Sequence, residues 1–180
     1  MSPRRFAVGM AALAVLAWLA WRTFEPTRRS PERRSGVDST STGFRSARLY
    51  FAAPDGESLV SETRELPETE DLRDRVAYLV SELEQGPRQR GVRTLPEDTG
   101  VLHVFLDDRG LMTVDLTNSF RQSFHGGSTP EYLAVASLVR TLAANLPEVR
   151  RVLLVCGGRP LATLGGHVAL DRPFEVSDLR

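Results

Sequence analysis

Residues 115–132 read DLTNSFRQSFHGGSTPEY and gather an aspartate, three serines, a histidine and a glycine pair. Such residue types recur in nucleophilic catalysis, which needs a hydroxyl or thiol beside a base and a third group to orient that base. His125 lies close in sequence to Ser123 and Ser128, but no Gly-x-Ser-x-Gly elbow sets a serine on a strand-to-helix turn. His103 falls in a strand-like segment, and His167 stands apart from both. The glycines of HGGSTPEY precede a helix, an arrangement that can aim backbone N–H groups at a phosphate. A P-loop needs a lysine, however, and this chain has none; it also lacks the Gly-x-Gly-x-x-Gly dinucleotide fingerprint. The letters fit a helix start better. Ser128 and Glu131 have the spacing of a capping box, or Thr129 is the N-cap with Pro130 as the first helical residue.

The remaining candidates are equally bland. Asp107 and Asp108 sit in a tight turn, where aspartate bonds its own backbone, and they lack the spacing of a calcium loop. Cys156 is the only cysteine, so no intrachain disulfide forms and a structural zinc site has too few ligands. Its apolar setting, RVLLVCGG, reads as a small buried hydrophobe. No catalytic residue, metal site or cofactor is therefore expected. The 180-residue chain has zero formal net charge, all its basic side chains being arginine, so no basic field points to nucleic acid.

The first 24 residues have another character. After a short basic segment (1–5), an uncharged stretch runs from Phe6 to Trp21 and is closed by Arg22. As helix it rises about 24 Å, a little short of a hydrocarbon core of roughly 30 Å. Trp18, Trp21 and Phe24 at the interface, with Arg22 snorkelling, make up the difference. Residues 6–24 read as an uncleaved transmembrane signal-anchor, since Trp18–Trp21 offers no small-x-small cleavage site. Arg28, Arg29, Arg33 and Arg34 after the segment outnumber Arg4 and Arg5 before it, which alone would hold the following side in the cytoplasm. The short N-terminus and signal-like layout point instead to export, so the charges leave the orientation open. Residues 25–44 are rich in Arg, Ser, Thr and Pro with almost no apolar side chains, the composition of a disordered tether. The folded domain is expected over 45–180.

Within it, ARLYFA and SLVSETREL predict two strands around a turn at Pro54–Gly56. DLRDRVAYLVSELEQGP predicts a helix with Leu72, Val76, Leu79 and Leu83 on one stripe, stopped at Gly86-Pro87. Leu102, Val104 and Leu106 alternate, as do Met112, Val114 and Leu116, around a turn ending at Gly110; this is a β-hairpin. A second helix spans Pro130–Asn145 with Tyr132, Val135, Val139, Leu142 and Leu146 on one face, followed by the central strand RVLLVC. The expected fold class is two-layer α+β, a mixed β-sheet with two amphipathic helices on one face.

This order resembles the GerMN domain, a sporulation and spore germination family. LYFA and LVSETREL are similar to its opening strands, and ELEQGP to its helix-ending motif. LPEDTGVLHVFLDDRGLMTVDLTNSF resembles its loop and hairpin, and GGSTPEYLAVASLVRTLAANLPEVRRVLLVCGG its second helix and central strand. The structural motif positions are Gly86, Pro87, Gly110, Gly126, Gly127, Ser128, Thr129, Glu131, Gly157 and Gly158. The resemblance implies a fold similar to ring-building envelope modules, which associate side by side and are not known as enzymes. It also implies a single-pass protein of the cytoplasmic membrane with the domain outside. The expected role is a non-enzymatic interaction module that assembles or scaffolds an envelope complex, with envelope proteins and its own copies as partners. The alternative is a cell-wall binding accessory of a peptidoglycan hydrolase. The chain departs from its relatives in having one domain copy and an apolar segment in place of a lipidated cysteine.

Overall fold

The alternation of Ala47, Leu49 and Phe51 against Leu66, Arg64 and Glu62 builds a hairpin with one buried face. In the computed structural model, which describes residues 43–179, β1 (Phe44–Ala52) and β2 (Leu59–Pro67) pair antiparallel from Phe44↔Pro67 to Ala52↔Leu59. The expected anchor at 6–24 and all but the last two residues of the expected tether lie outside the described residues. Among the described residues no helix is long and apolar enough to cross a membrane.

Helix α1 (Leu72–Gln85) starts where Asp71 accepts the Asp74 N–H at 2.9 Å, an N-cap bond. Val76, Leu79, Val80 and Leu83 are its buried stripe, with Leu72 packed at the margin. Gly86 ends it at φ +86°, a conformation that a side chain resists.

β3 (Val101–Leu106) and β4 (Leu111–Leu116) form the expected hairpin. Asp107 organises its turn, accepting the N–H groups of Arg109 and Leu111 at 2.9 and 2.8 Å. Gly110 has φ +79°, and a Cβ there would lie 2.7 Å from the Glu148 carbonyl oxygen, so the turn tolerates no side chain. One expectation fails in β3. A bulge between Val101 and His103 shifts the register, so Val101 is buried and Leu102 is exposed. The single turn α2 (Ser119–Gln122) and the long α3 (Ser128–Asn145) then carry the chain across to β5 (Arg151–Cys156). β5 runs parallel to β4, from Leu111↔Arg151 to Leu116↔Cys156. Two short strands, β6 (Arg159–Pro160) and β7 (Phe174–Glu175), pair with the other edge of β5, and a 3₁₀ turn over Val176–Leu179 comes last.

The single mixed sheet expected from the pattern is in fact two sheets, β1-β2 and the five-stranded β3-β4-β5-β6 with β7. The outer edge of β1 does not pair with the larger sheet but docks on α3. Ser137 donates to the Tyr50 carbonyl at 2.5 Å, Thr141 accepts the Tyr50 N–H at 3.0 Å, and Asn145 exchanges bonds of 2.9 and 2.8 Å with Arg48. Residues 137, 141 and 145 are four apart and share one helix face. Val135, Leu138, Val139 and Leu142 meanwhile join the same core cluster as β4 and β5. α3 is consequently buried on most of its circumference rather than along one stripe, and Tyr132, expected inside, is exposed.

Replacing Thr141, which is fully buried, by the isosteric valine strands the Tyr50 N–H. Denaturant unfolding should show a loss of about 1–3 kcal/mol, whereas an unchanged midpoint would mean that this edge contributes nothing.

Candidate functional site

β4 and β5 end side by side, and the segments after these two strands form the main concave polar surface. After Cys156, Gly157 and Gly158 both take positive φ (+56° and +72°) and return the chain into β6. A two-residue turn of this hand suits paired glycines. Gly157 N–H continues the parallel ladder to the Leu116 carbonyl at 2.9 Å, and Gly158 N–H is accepted by both Asp115 carboxylate oxygens at 2.9 and 3.1 Å. Asp115 is therefore buried and clamps the turn; its outer oxygen also lies 3.3 Å from His103 Nδ1. The Asn118 amide packs on Gly157, leaving no room for a Cβ. A cleft of about 410 Å³ opens here, bordered by Asn118, Arg121 and Gln122 after β4 and by Arg159, Pro160 and Leu161 beyond the turn. Cys156 lies at its base with its thiol 3.4 Å from the Thr117 carbonyl; burial pushes its pKa up despite nearby Arg121. It behaves as the packed thiol its neighbours suggested.

The other residues of the 115–132 stretch are arranged differently from the sequence expectation. Gly127 is the N-cap of α3 and makes no side-chain cap bond. Ser128 and Thr129 are exposed within the first turn, so neither capping scheme forms. Glu131 is instead wholly buried and reaches out to the C-terminal loop, accepting Leu164 N–H at 2.8 Å, His167 N–H at 2.9 Å and His167 Nδ1 at 3.1 Å. Burial alone would raise its pKa, but backbone N–H groups of Gly165, His167, Leu164 and Val168 outweigh it and hold the carboxyl below the ordinary glutamate range. Gly126 is pressed against Pro130, where a Cβ would come within 2.8 Å of the ring. His125 Nδ1 is bound to the Ser123 carbonyl at 2.9 Å. Among the described residues no histidine ring hydrogen-bonds to a hydroxyl or thiol, and no group of three potential metal ligands is found.

The Gly86 carbonyl joins a buried ion network. Arg64 is bound to Glu62, to Glu82 at 2.6 Å, and to the Glu82 and Gly86 carbonyls at 3.0 and 2.6 Å. Glu62 also accepts Arg88 and Gln89 N–H groups at 3.2 Å. Burial pushes its pKa up, but Arg64 and those N–H groups prevail and the carboxyl stays below its usual value. The orphan carbonyls at the end of α1 are thus satisfied by a side chain from β2. A further surface lies on the five-stranded sheet. Met112, Val114, Val152 and Leu154 face the core, so the intervening residues of β4 and β5 face away. There Phe105 is 66% exposed beside half-buried Thr113 and Leu153, its neighbours across the strands.

The profile of the Germane family, described as sporulation and spore germination, matches residues 48–162. The chain belongs to the Germane family. Among solved structures, the tandem GerMN domains of the sporulation protein GerM from Bacillus subtilis align with TM-score 0.58 and 25% identity, over 76% of this chain and 48% of that one. The first GerMN domain of the same protein aligns with TM-score 0.56 and 25% identity, over 71% and 96%. A candidate lipoprotein from Clostridium perfringens shares the fold at TM-score 0.53 and 23% identity, over 76% and 90%. No curated protein matches the chain. Of the expected motif positions, Gly86, Gly110, Gly157 and Gly158 adopt positive φ.

Asn118, Arg121, Gln122 and Arg159 did not stand out in the sequence. Their signal was available: polar and basic residues directly after two strands that run parallel, where open α/β sheets place their clefts.

Glu131 has its pKa lowered on folding, so its contribution to stability is present above the unfolded glutamate value of about 4.3 and is lost as pH falls through the folded one. Glu131→Gln should lower the melting temperature at neutral pH and flatten the decline below pH of about 4.3, with Glu62 supplying what remains. Melting curves of both proteins across that range check this. Parallel declines would remove the role assigned to Glu131.

Proposed function

We propose that this Germane protein is a membrane-anchored, extracytoplasmic interaction module that helps to assemble or scaffold an envelope complex, and that it is not an enzyme. Membership of the Germane family supports the sporulation-type envelope setting, and the likeness to the GerMN domains of GerM supports the same class of work. The observation that carries the reading is the face of the five-stranded sheet on which, among the described residues, no helix packs. Phe105 stands 66% exposed on the edge strand, and half-buried Leu153 and Val155 extend the apolar surface inward. An aromatic side chain in such a place is a typical anchor for a protein partner. The apolar run Phe6–Trp21 supplies the anchor, and the Arg- and Ser-rich residues up to 44 give the domain reach from the membrane. Envelope proteins and further copies of this chain are the proposed partners.

Cross-linking in intact cells followed by membrane extraction should trap the full chain with an envelope protein or a second copy. Phe105→Glu should reduce that product several-fold while leaving the melting temperature unchanged. Recovery of the monomer alone would defeat the scaffold reading, and co-sedimentation with purified walls without a protein partner would move the role to a cell-wall accessory. Protease added to spheroplasts should cleave between residues 25 and 44; full protection would place the domain on the cytoplasmic side.

A further inference from the structure

The cleft at the ends of β4 and β5 has more built into it than a scaffold needs. Four side chains rich in donors border it: Asn118, Arg121, Gln122 and Arg159. Among the described residues none of the four makes a side-chain hydrogen bond or an ion pair. The carboxylate nearest the turn, Asp115, is committed to Gly158 N–H through both oxygens and is buried. Among the described residues it forms no ion pair with either guanidinium group. The base of the cleft is rigid, because Gly157 and Gly158 are fixed by the Leu116 carbonyl, Asp115 and the packed Asn118 amide. A volume of about 410 Å³ admits a small ligand or the tip of a larger one. Two arginines and two amides converging on a concave surface offer donors and positive charge, with no unengaged carboxylate among the residues that border it.

We propose that this cleft is an oxyanion-binding site, taking a carboxylate or phosphate group held between Arg121 and Arg159 with Asn118 and Gln122 as additional donors. Planar guanidinium forks match the paired oxygens of either group. The shared chemistry is a compact, doubly hydrogen-bonding anion; a peptide carboxylate and a phosphate-bearing headgroup or polymer are its two natural sources. The site lies beyond the ends of β4 and β5 and on β6, apart from Phe105, so it stands independently of the scaffold reading.

The test is calorimetric titration of the full chain in zwitterionic nanodiscs, with inorganic phosphate in one arm and acetyl-dialanine in the other. Saturable binding at one site per chain is expected, weakened by added salt. Arg121→Gln and Arg159→Gln should each reduce affinity about tenfold, the loss of one charge-assisted hydrogen bond, and the double variant should show no binding. Arg90→Gln, an exposed arginine outside the cleft, should bind like the parent. Binding of phosphate alone, or of acetyl-dialanine alone, assigns the source; binding of both assigns the shared oxyanion. Melting curves identify any variant that fails to fold, and the single variants then decide. Absence of saturable heat in both arms, or a folded double variant that binds as the parent does, overturns the proposal.

Discussion

The outer edge of β1 has to be satisfied before this domain can have one core. An unpaired strand edge presents an N–H and a carbonyl at every second residue, and covering them with an apolar surface would cost more than the burial contributes. Here α3 supplies the partners through Ser137, Thr141 and Asn145, one per turn, at Tyr50 and Arg48, while Val92 N–H continues the edge to the Ala52 carbonyl at 2.8 Å. Because hydroxyls and an amide do this work, the hairpin sits against the helix without merging into the larger sheet. The rest of α3 is left to the apolar contacts with β4 and β5. Two sheets thereby share one helix and one core.

Around that core, buried charges hold the loops. Arg64 closes the end of α1, Glu131 draws in the backbone of residues 164–168, and Asp115 pins the Gly157–Gly158 turn. In each case a charged side chain is buried because backbone groups satisfy it, which is the condition under which burial of charge is tolerated. The functional consequence is stiffness. The backbone beneath the surfaces that face outward, the Phe105 face and the cleft beside Arg121 and Arg159, is held by these bonds, while the side chains on those surfaces stay exposed.

Legibility tracked the range of the interaction. The stripe Val76–Leu79–Leu83 and the Gly86 stop of α1 are local, and each is present as read. So are the Asp107–Gly110 turn and the central placement of β5. Ser128–Thr129–Pro130–Glu131 misled because a capping box and a buried carboxylate that binds a distant loop use the same letters; the sequence separation of 33 between Glu131 and Leu164 distinguishes the two cases. Tyr132 misled because helical spacing identifies a face but not how many neighbours surround the helix. The cleft was hidden for the same reason, its two arginines lying on segments that only the β4–β5 pairing brings together.

The amino-acid sequence by itself determined the two long helices, the two hairpins and β5, their order, the Gly86 and Gly110 turns, the apolar segment at the N-terminus and the kinship with the Germane family. These depend on periodicity, on backbone sterics and on motifs a few residues long. Tertiary structure alone decided that the strands divide into two sheets, that Glu131 belongs to the C-terminal loop, and that Arg121 and Arg159 face one cleft. Such decisions turn on which polar groups find partners across tens of residues. A chain of letters carries the donors and acceptors, but only the folded backbone sets the distances between them.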